Sequence, residues 1–499
     1  MRFRVQYVSH QMKVGTNGMT DGKLTIFQMN DSHAYIEEHN EFFWHGDKAE
    51  YHTVGGFSRI GHLIKEAKDE RPDSVLALDC GDTIHGTYPA VITQGEAVVP
   101  ILNAMGFDAM TAHWEFAYGP KQLKHVSQKL NFPILGINCY DRKTRQPFLD
   151  PYIIKEMDGL NVAIVGLASN IVDKTMPSSF SEGLRFTLGR FELPSIIGRL
   201  RKDGKADLVI LISHLGFPQD MKIAEEVVGI DVLLSGHTHN RLSHPVNVKD
   251  TIIIQSGCHG SFLGRLDLNM VRGRIRSYDH RLITVTTDIP QDEEIDGLVQ
   301  EAVAPYRGQL SEEFGHCSTT LNRNTVLEAT MDNLLLQAVR EAAGTQMAFS
   351  NGWRYGVPVP PGKVTLNDLW NIVPTNPPVS TIDLTGKDIW DLMEDSLDRT
   401  FARNPFDQQG GYVKRCIGLN VYFKVENPRG YRIQDIFVGG EHIDLNRTYS
   451  AAFMTTQAIP LAYGMKRRDL EITAIETLKG YLLSKELVSA ELTGTVVAV

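Results

Sequence analysis

Short apolar runs, each closed by Gly, Asp, Ser or His, recur through the first 290 residues and predict strands at 24–27, 75–78, 162–167, 208–212, 232–234 and 252–254. Between the first two, Ile60, Leu63, Ile64 and Ala67 fall at helical spacing, so this half reads as a layered α/β domain. Residues 291–317 are acidic, carry one helix pattern and lack strand signals, which marks a connector. Beyond it, Met331, Leu334, Leu335, Ala338 and Ala342 form the apolar stripe of a helix, and strand-like runs follow at 379–384, 419–423 and 449–453. This predicts a second, α+β domain, and the chain has no repeats or low-complexity tracts. The expected division is a flexible leader at 1–22, a first domain at 23–290, a linker helix at 291–318 and a second domain at 319–499.

The polar residues that end these runs carry the chemistry. Asp31-Ser32-His33, Gly81-Asp82, His113-Trp114-Glu115, His214 and His237-Thr238-His239 each follow an apolar run, at the carboxyl edge where ligands collect on open α/β sheets. Asp31 and His33, and again His237 and His239, are two residues apart, so each pair converges on one cation once the chain begins to turn. A carboxylate shared by two cations about 3.5–4 Å apart, with imidazoles on the outer faces, activates water and clamps a tetrahedral oxyanion. These residues therefore predict a two-metal hydrolase.

Composition narrows the setting. The 499 residues, 42% of them hydrophobic, exceed one ordinary core. A net charge of −10 excludes a general nucleic-acid binder, and an anionic substrate has to be held by local cations. Cys80, Cys139, Cys258, Cys317 and Cys416 are odd in number and widely spaced, so no disulfide framework is expected. No run approaches the roughly 20 apolar residues of a membrane span, and the first residues lack a signal-peptide pattern. These features together predict a cytoplasmic protein.

The motif set resembles the calcineurin-like metallophosphoesterases, in the two-domain 5′-nucleotidase branch, over residues 24 to the end. The resemblance implies a four-layer β-sandwich flanked by helices, followed by a C-terminal α+β substrate-binding domain. It implies that Asp31, His33, Asp82 and His239 surround one metal and that Asp82, His113, His214 and His237 surround the other, with Asp82 bridging. Oxygen and nitrogen ligands without thiolate suit Mn, with Zn, Fe or Co as alternatives. A small anionic substrate is implied, with nucleotide catabolism as the setting, and neither a nucleic-acid polymer nor a membrane as partner.

One segment departs from that family. Nucleotidases carry Gly-Asn-His-Glu-Phe-Asp-Tyr-Gly where this chain has Ala112-His113-Trp114-Glu115-Phe116-Ala117-Tyr118-Gly119. The His–Asp pair that protonates the leaving group has become Trp114 and Ala117, and a general acid is worth about 10²–10⁴-fold. His113-Trp114-Glu115-Phe116, with Asn351-Gly352-Trp353-Arg354-Tyr355-Gly356 and Phe406-Asp407-Gln408-Gln409-Gly410-Gly411, is similar to the SoxB-type thiosulfohydrolases, which use a dimanganese site. That resemblance implies sulfate release from an S-sulfonate and, with it, a sulfur-carrier protein as partner.

The expected catalytic residues are Trp114, Arg354 as oxyanion clamp, and His85 as a replacement acid. Asn351, Gly352, Trp353, Arg354, Phe406, Gln408 and Gln409 are the expected substrate contacts. A hydroxide bridging the metals would attack phosphorus or sulfur, and a good leaving group would depart unassisted. The rival readings are the thiosulfohydrolase and a non-catalytic protein that binds metal and oxyanion.

Overall fold

The computed structural model describes residues 22–499, and the leader expected at 1–22 falls, but for Gly22, outside the described residues. Two sheets face each other in the first half. One has five strands in the order Arg274–Thr284, Phe262–Val271, Gly22–Met29, Val75–Asp79, Ala109–Met110. The other has six, in the order Val246–Val248, Thr251–Ile254, Val232–Ser235, Leu208–Ser213, Leu160–Leu167, Tyr152–Met157. Their central strands are parallel, Ile210 pairing with Val232 and Ile164 in the second sheet and Ile26 with Leu76 in the first.

Both faces of these strands are covered, which explains why the runs are continuously apolar rather than alternating. Leu24, Ile26, Leu76 and Leu78 meet Ile164, Leu208, Ile210, Ile212 and Leu234 between the sheets. The intervening residues Val209 and Leu211 instead pack under the helix Glu192–Lys202. Phe27, Met29 and Ala77 pack under the helices Phe57–Glu70 and Val99–Met105. The result is helix, sheet, sheet, helix, the four-layer architecture the motifs implied.

The second half is α+β. A five-stranded sheet ordered Arg415–Ile417, Met347–Ser350, Thr448–Phe453, Pro378–Thr385, Met465–Thr473 packs against the helices Thr330–Ala343 and Gly386–Thr400. Both Gly386–Thr400 and Leu366–Ile372 begin with a Thr–Asp capping box that satisfies the first-turn amides. The connector differs from expectation. It contains a strand, Glu313–Cys317, paired with Gly362–Thr365. Its helix Glu293–Val303 buries Ile295, Val299 and Val303 in the core of the first half, so it is an integral layer rather than a free spacer. Among the described residues no helix is long and apolar enough to cross a membrane.

Candidate active site

Each polar motif begins one to three residues past a strand. Asp31 and His33 follow Gly22–Met29, Asp82 follows Val75–Asp79, His113 follows Ala109–Met110, His214 follows Leu208–Ser213, and His237 and His239 follow Val232–Ser235. Five of the seven hold left-handed backbone: Asp31 at φ 51°, His33 at 48°, Asp82 at 59°, His237 at 72° and His239 at 58°. Residues other than Gly rarely adopt it, Asn, Asp and His most readily, and such strain gathers where function over-determines geometry. Gly81, at φ 89°, is required, because a Cβ there would meet the Thr111 carbonyl oxygen at 2.9 Å and His214 Nδ1 at 3.2 Å.

The seven side chains converge in two groups joined by one carboxylate. Donor atoms of Asp82, His113, His214 and His237 lie within 4.8 Å of one another, as do those of Asp31, His33 and His239. Asp82 reaches His113 Nδ1 at 3.1 Å, His214 Nε2 at 3.2 Å and His33 Nε2 at 3.7 Å, which places it between the groups. Asp31 Oδ1 lies 3.2 Å from His239 Nε2 and 3.6 Å from His214 Nε2. Imidazole nitrogens also point at one another, His33 Nε2 to His239 Nε2 at 3.4 Å and His113 Nδ1 to His214 Nε2 at 3.2 Å. Lone pairs so disposed need a proton or a cation between them.

Surrounding residues fix these ligands. His214 Nδ1 donates to the Cys80 carbonyl at 2.5 Å, which leaves Nε2 as the free lone pair. Glu115 accepts from the backbone amides of His113, Asp82 and Thr83 at 2.7, 3.2 and 2.7 Å, tying two ligand loops together. Asp79 accepts from Gly81 N and Thr83 Oγ1, and Asn30 Nδ2 donates to Asp31 at 2.7 Å.

The charge balance favours a cation. Burial opposes ionisation of Asp82, yet His113 and His214 hold its carboxyl well below the ordinary range. Burial likewise opposes a charged His214, but Asp82 and Asp31 hold its pKa up at about 10. Burial drives His33 and His237 well below the usual imidazole range, His237 with help from Arg354. Buried carboxylates that draw a proton onto one ligand, beside neutral imidazoles with aimed lone pairs, fit a pair of divalent cations.

A cavity of about 560 Å³ opens over the two groups and is lined from both halves of the chain, by His33, Asp82, His113, Trp114, His237 and His239 and by Asn351, Trp353, Arg354, Tyr355, Gln409 and Tyr412. Arg354 Nη1 donates to the His237 carbonyl, while Nη2 is buried without a partner. Tyr355 stacks on His33 with ring centroids 3.8 Å apart, and its hydroxyl is also unpartnered. The Trp114 indole lies flat against His85, centroids 4.7 Å apart and planes 5° from parallel, and its backbone amide donates to Asp82 at 2.7 Å.

Four expected site residues sit differently. His85 is buried behind Trp114 with Nδ1 on the Tyr118 hydroxyl at 2.9 Å, and burial lowers its pKa to about 3, so it carries no spare proton near neutrality. Phe406 is not among the lining residues; it packs on the apolar cluster that contains Leu215 and Ile223 and lies 5.2 Å from the Arg190 guanidinium. Gln408 donates to the Ala402 carbonyl, and its own carbonyl accepts from Gln219. Gly352 lies beneath the cavity wall, its carbonyl accepting from the Tyr412 hydroxyl at 3.0 Å. Trp353 lines the cavity yet is 2% exposed, most of its ring belonging to the second core.

Sequence reasoning missed a support under the Arg354 loop. Glu41 accepts from His259 Nδ1 at 3.0 Å, and His259 Nε2 accepts from the Gly356 amide at 3.3 Å. His39, Glu41 and His259 also form a third potential ligand group, but each ring nitrogen already has a partner: Glu37 O and Ser261 Oγ for His39, Glu41 and Gly356 N for His259. Only the Gly-rich setting of Cys258-His259-Gly260 hinted at this residue.

Comparison with known proteins places this geometry. A family model described as the 5′-nucleotidase C-terminal domain matches residues 308–458. The 5′-nucleotidase of Vibrio vulnificus is 24% identical over 483 residues, covering 86% of this chain and 83% of that protein. The trifunctional nucleotide phosphoesterase YfkN of Bacillus subtilis is 24% identical over 86% of this chain, which spans only 31% of YfkN. Among solved structures, a Thermus thermophilus sulfate thiohydrolase SoxB superposes with a TM-score of 0.88 at 27% identity, covering 95% of this chain and 96% of that one. A 5′-nucleotidase precursor from the same organism superposes at 0.84, with 22% identity and 96% and 99% coverage. The expected cytoplasmic location is contradicted: these relatives, one of them described as a precursor, give it no support. The five buried free cysteines are explained by core packing and do not locate the protein. The second half thus matches the 5′-nucleotidase C-terminal domain, and the chain over most of its length is similar to 5′-nucleotidases and to a SoxB structure.

Proposed function

We propose that the protein is a two-metal hydrolase that cleaves phosphate esters or anhydrides of a small anionic substrate whose leaving group departs without a general acid. Hydrolysis of phosphoester bonds is the activity of its nucleotidase and phosphoesterase relatives, and it sets aside the binding-only alternative. The observation that carries the reading is Asp82 held between two converging groups of ligands. Asp31, His33, Asp82 and His239 would hold one cation and Asp82, His113, His214 and His237 the other, with Mn favoured and Zn, Fe or Co as alternatives. When bound, such cations supply Lewis-acid activation of water and neutralise charge at the reacting centre.

The chain's own residues do the rest. Arg354 lines the cavity, and its Nη2, buried without a partner, is a donor suited to a developing oxyanion. Trp114, packed between His85, Phe180 and Tyr355, excludes water from the leaving-group side and has no proton to give. The Tyr355 hydroxyl offers a hydrogen bond, but burial raises its pKa well above the usual phenol range, so it cannot replace an imidazolium. Asn351 and Gln409 complete the polar wall. We assign catalysis to 23–290 and substrate binding to 319–499, with 291–318 joining them.

The test is a comparison of 4-nitrophenyl phosphate with AMP in Mn²⁺. The activated ester should have a kcat/KM roughly 10² or more above AMP, the value of a missing acid; equal rates would show that an acid operates. A second reading, hydrolysis of an S-sulfonate to sulfate, is favoured by the SoxB superposition and by Trp114, because a thiolate leaves without protonation. Sulfate release from an S-sulfonate faster than phosphate release from any ester would establish it, and a sulfur-carrier partner belongs to this reading alone.

A further inference from the structure

The cavity extends well past the ligand groups. One face of the helix Gly386–Thr400, presenting Leu392, Asp395, Ser396, Arg399 and Thr400, forms its far wall, and the loop carrying Gln457, Pro460 and Tyr463 forms its end. These positions recur at three and four residues, as a helix needs to line one groove. Two cations face this end. The Lys414 ammonium donates to the Gln457 carbonyl, and Arg399 Nη1 donates to the Gln409 side chain at 3.2 Å. Among the described residues neither has a carboxylate within 4.0 Å, whereas Lys174, elsewhere on the lining, pairs with Asp173 at 3.3 Å. The one acid beside them, Asp395, is engaged by the Tyr463 hydroxyl at 2.6 Å. Burial and the nearby Arg399 lower the Lys414 pKa to about 7 even though Asp395 raises it, so a further anion beside the pair would favour the charged ammonium.

Resting on the hydrolase reading above, we infer that Lys414 and Arg399 form a distal subsite for a second anionic group, a carboxylate or phosphate carried by the leaving-group half of the substrate. The substrate class is then a two-ended anion, with one end reacting between Asp82 and Arg354 and the other held by Lys414 and Arg399. A lone phosphate would fill little of the 560 Å³ available. A neutral leaving group would leave the half-buried Lys414, with the exposed Arg399 beside it, without an ion-pair partner.

The test uses two aryl phosphates of equal leaving-group pKa, one with a carboxylate at the end of a side chain and the other with its primary amide. The full-length Mn²⁺-loaded enzyme should prefer the carboxylate roughly tenfold in kcat/KM, mostly through KM, the size of a charge-assisted hydrogen bond. Lys414→Met and Arg399→Gln should each reduce that preference to about twofold or less while leaving the amide substrate unaffected. A wild-type enzyme that hydrolyses both equally overturns the subsite and leaves the hydrolase intact. If neither ester is cleaved, calorimetric binding of the matched non-hydrolysable phosphonates decides the subsite by itself. Preference for the carboxylate that Lys414→Met abolishes supports it, and equal affinities refute it. A phosphate-ended analogue run in parallel separates the two anions: a preference for it above the carboxylate assigns the natural tail as a phosphate.

Discussion

Replacing Arg354 separates a role in charge stabilisation from a role in packing. Its Nη1 donates to the His237 carbonyl and its Nη2 has no partner, so the side chain is anchored by one nitrogen and keeps a donor that the proposed oxyanion contact would use. Removing one preorganised donor to a developing oxyanion costs about 2.7–4 kcal/mol, or 10²–10³ in kcat. Arg354→Met should show that loss. Arg354→Lys keeps the charge but cannot serve His237 and the oxyanion together, so it should lose roughly 10–100-fold. Gly411→Ala is a remote check, because its Cβ would come 2.0 Å from Nη2 and force the guanidinium aside. A tenfold drop in kcat is expected there. Steady-state kinetics on 4-nitrophenyl phosphate, with metal content and melting temperature measured in parallel, provide the assay. Folding should not suffer, since burial opposes this charge and the Asp31 and Asp82 carboxylates that favour it make no ion pair with it. An Arg354→Met enzyme within threefold of wild type, fully metallated and stable, would refute the assignment.

Further outcomes follow from the same geometry. Trp114→His combined with Ala117→Asp should restore an acid and raise kcat/KM on AMP by 10² or more, with little change on 4-nitrophenyl phosphate; parallel gains on both substrates would contradict the leaving-group argument. His85→Gln should leave the pH–rate profile unchanged, because its imidazole, held at about 3, is already neutral. Glu115→Gln should weaken metal affinity 10–100-fold, measured by competition with a chelator, since Glu115 holds the amides of both ligand loops. His39 has its pKa lowered by burial to about 4, so it contributes stability above pH 6.5 that is lost as pH falls toward 4. His39→Gln should therefore flatten the acid limb of chemical-denaturation stability by about 1 kcal/mol per pH unit, and an unchanged slope would place the His39 proton elsewhere.

The sequence disclosed those parts of the fold whose environment is uniform along the strand. The runs around Ile26, Ile164, Ile210 and Leu233 are buried on both faces, so their apolar character is continuous. The hairpins Glu38–Gly55 and Phe262–Thr284 were not legible, because residues such as Trp44, Arg274, Arg276 and Tyr278 face solvent on long, polar edge strands. The candidate ligands were legible because each follows a buried strand. Their left-handed backbone was not, since only packing enforces it. Phe406 was misplaced because its apolar surroundings come from a cluster in the first half, far away along the chain. Glu41 and His259 were missed because their partnership spans 218 residues. In the connector, Ile295, Val299 and Val303 betray a helix, but Glu313–Cys317 has too few β-branched residues to signal its strand.

Metal stoichiometry tests the central claim most directly. Elemental analysis of wild-type protein reconstituted with Mn²⁺ should find two ions per chain, and Asp82→Asn should hold at most one and lose turnover by 10³ or more. Two ions retained by Asp82→Asn with turnover preserved, or a fully active wild-type chain with none, would contradict the account.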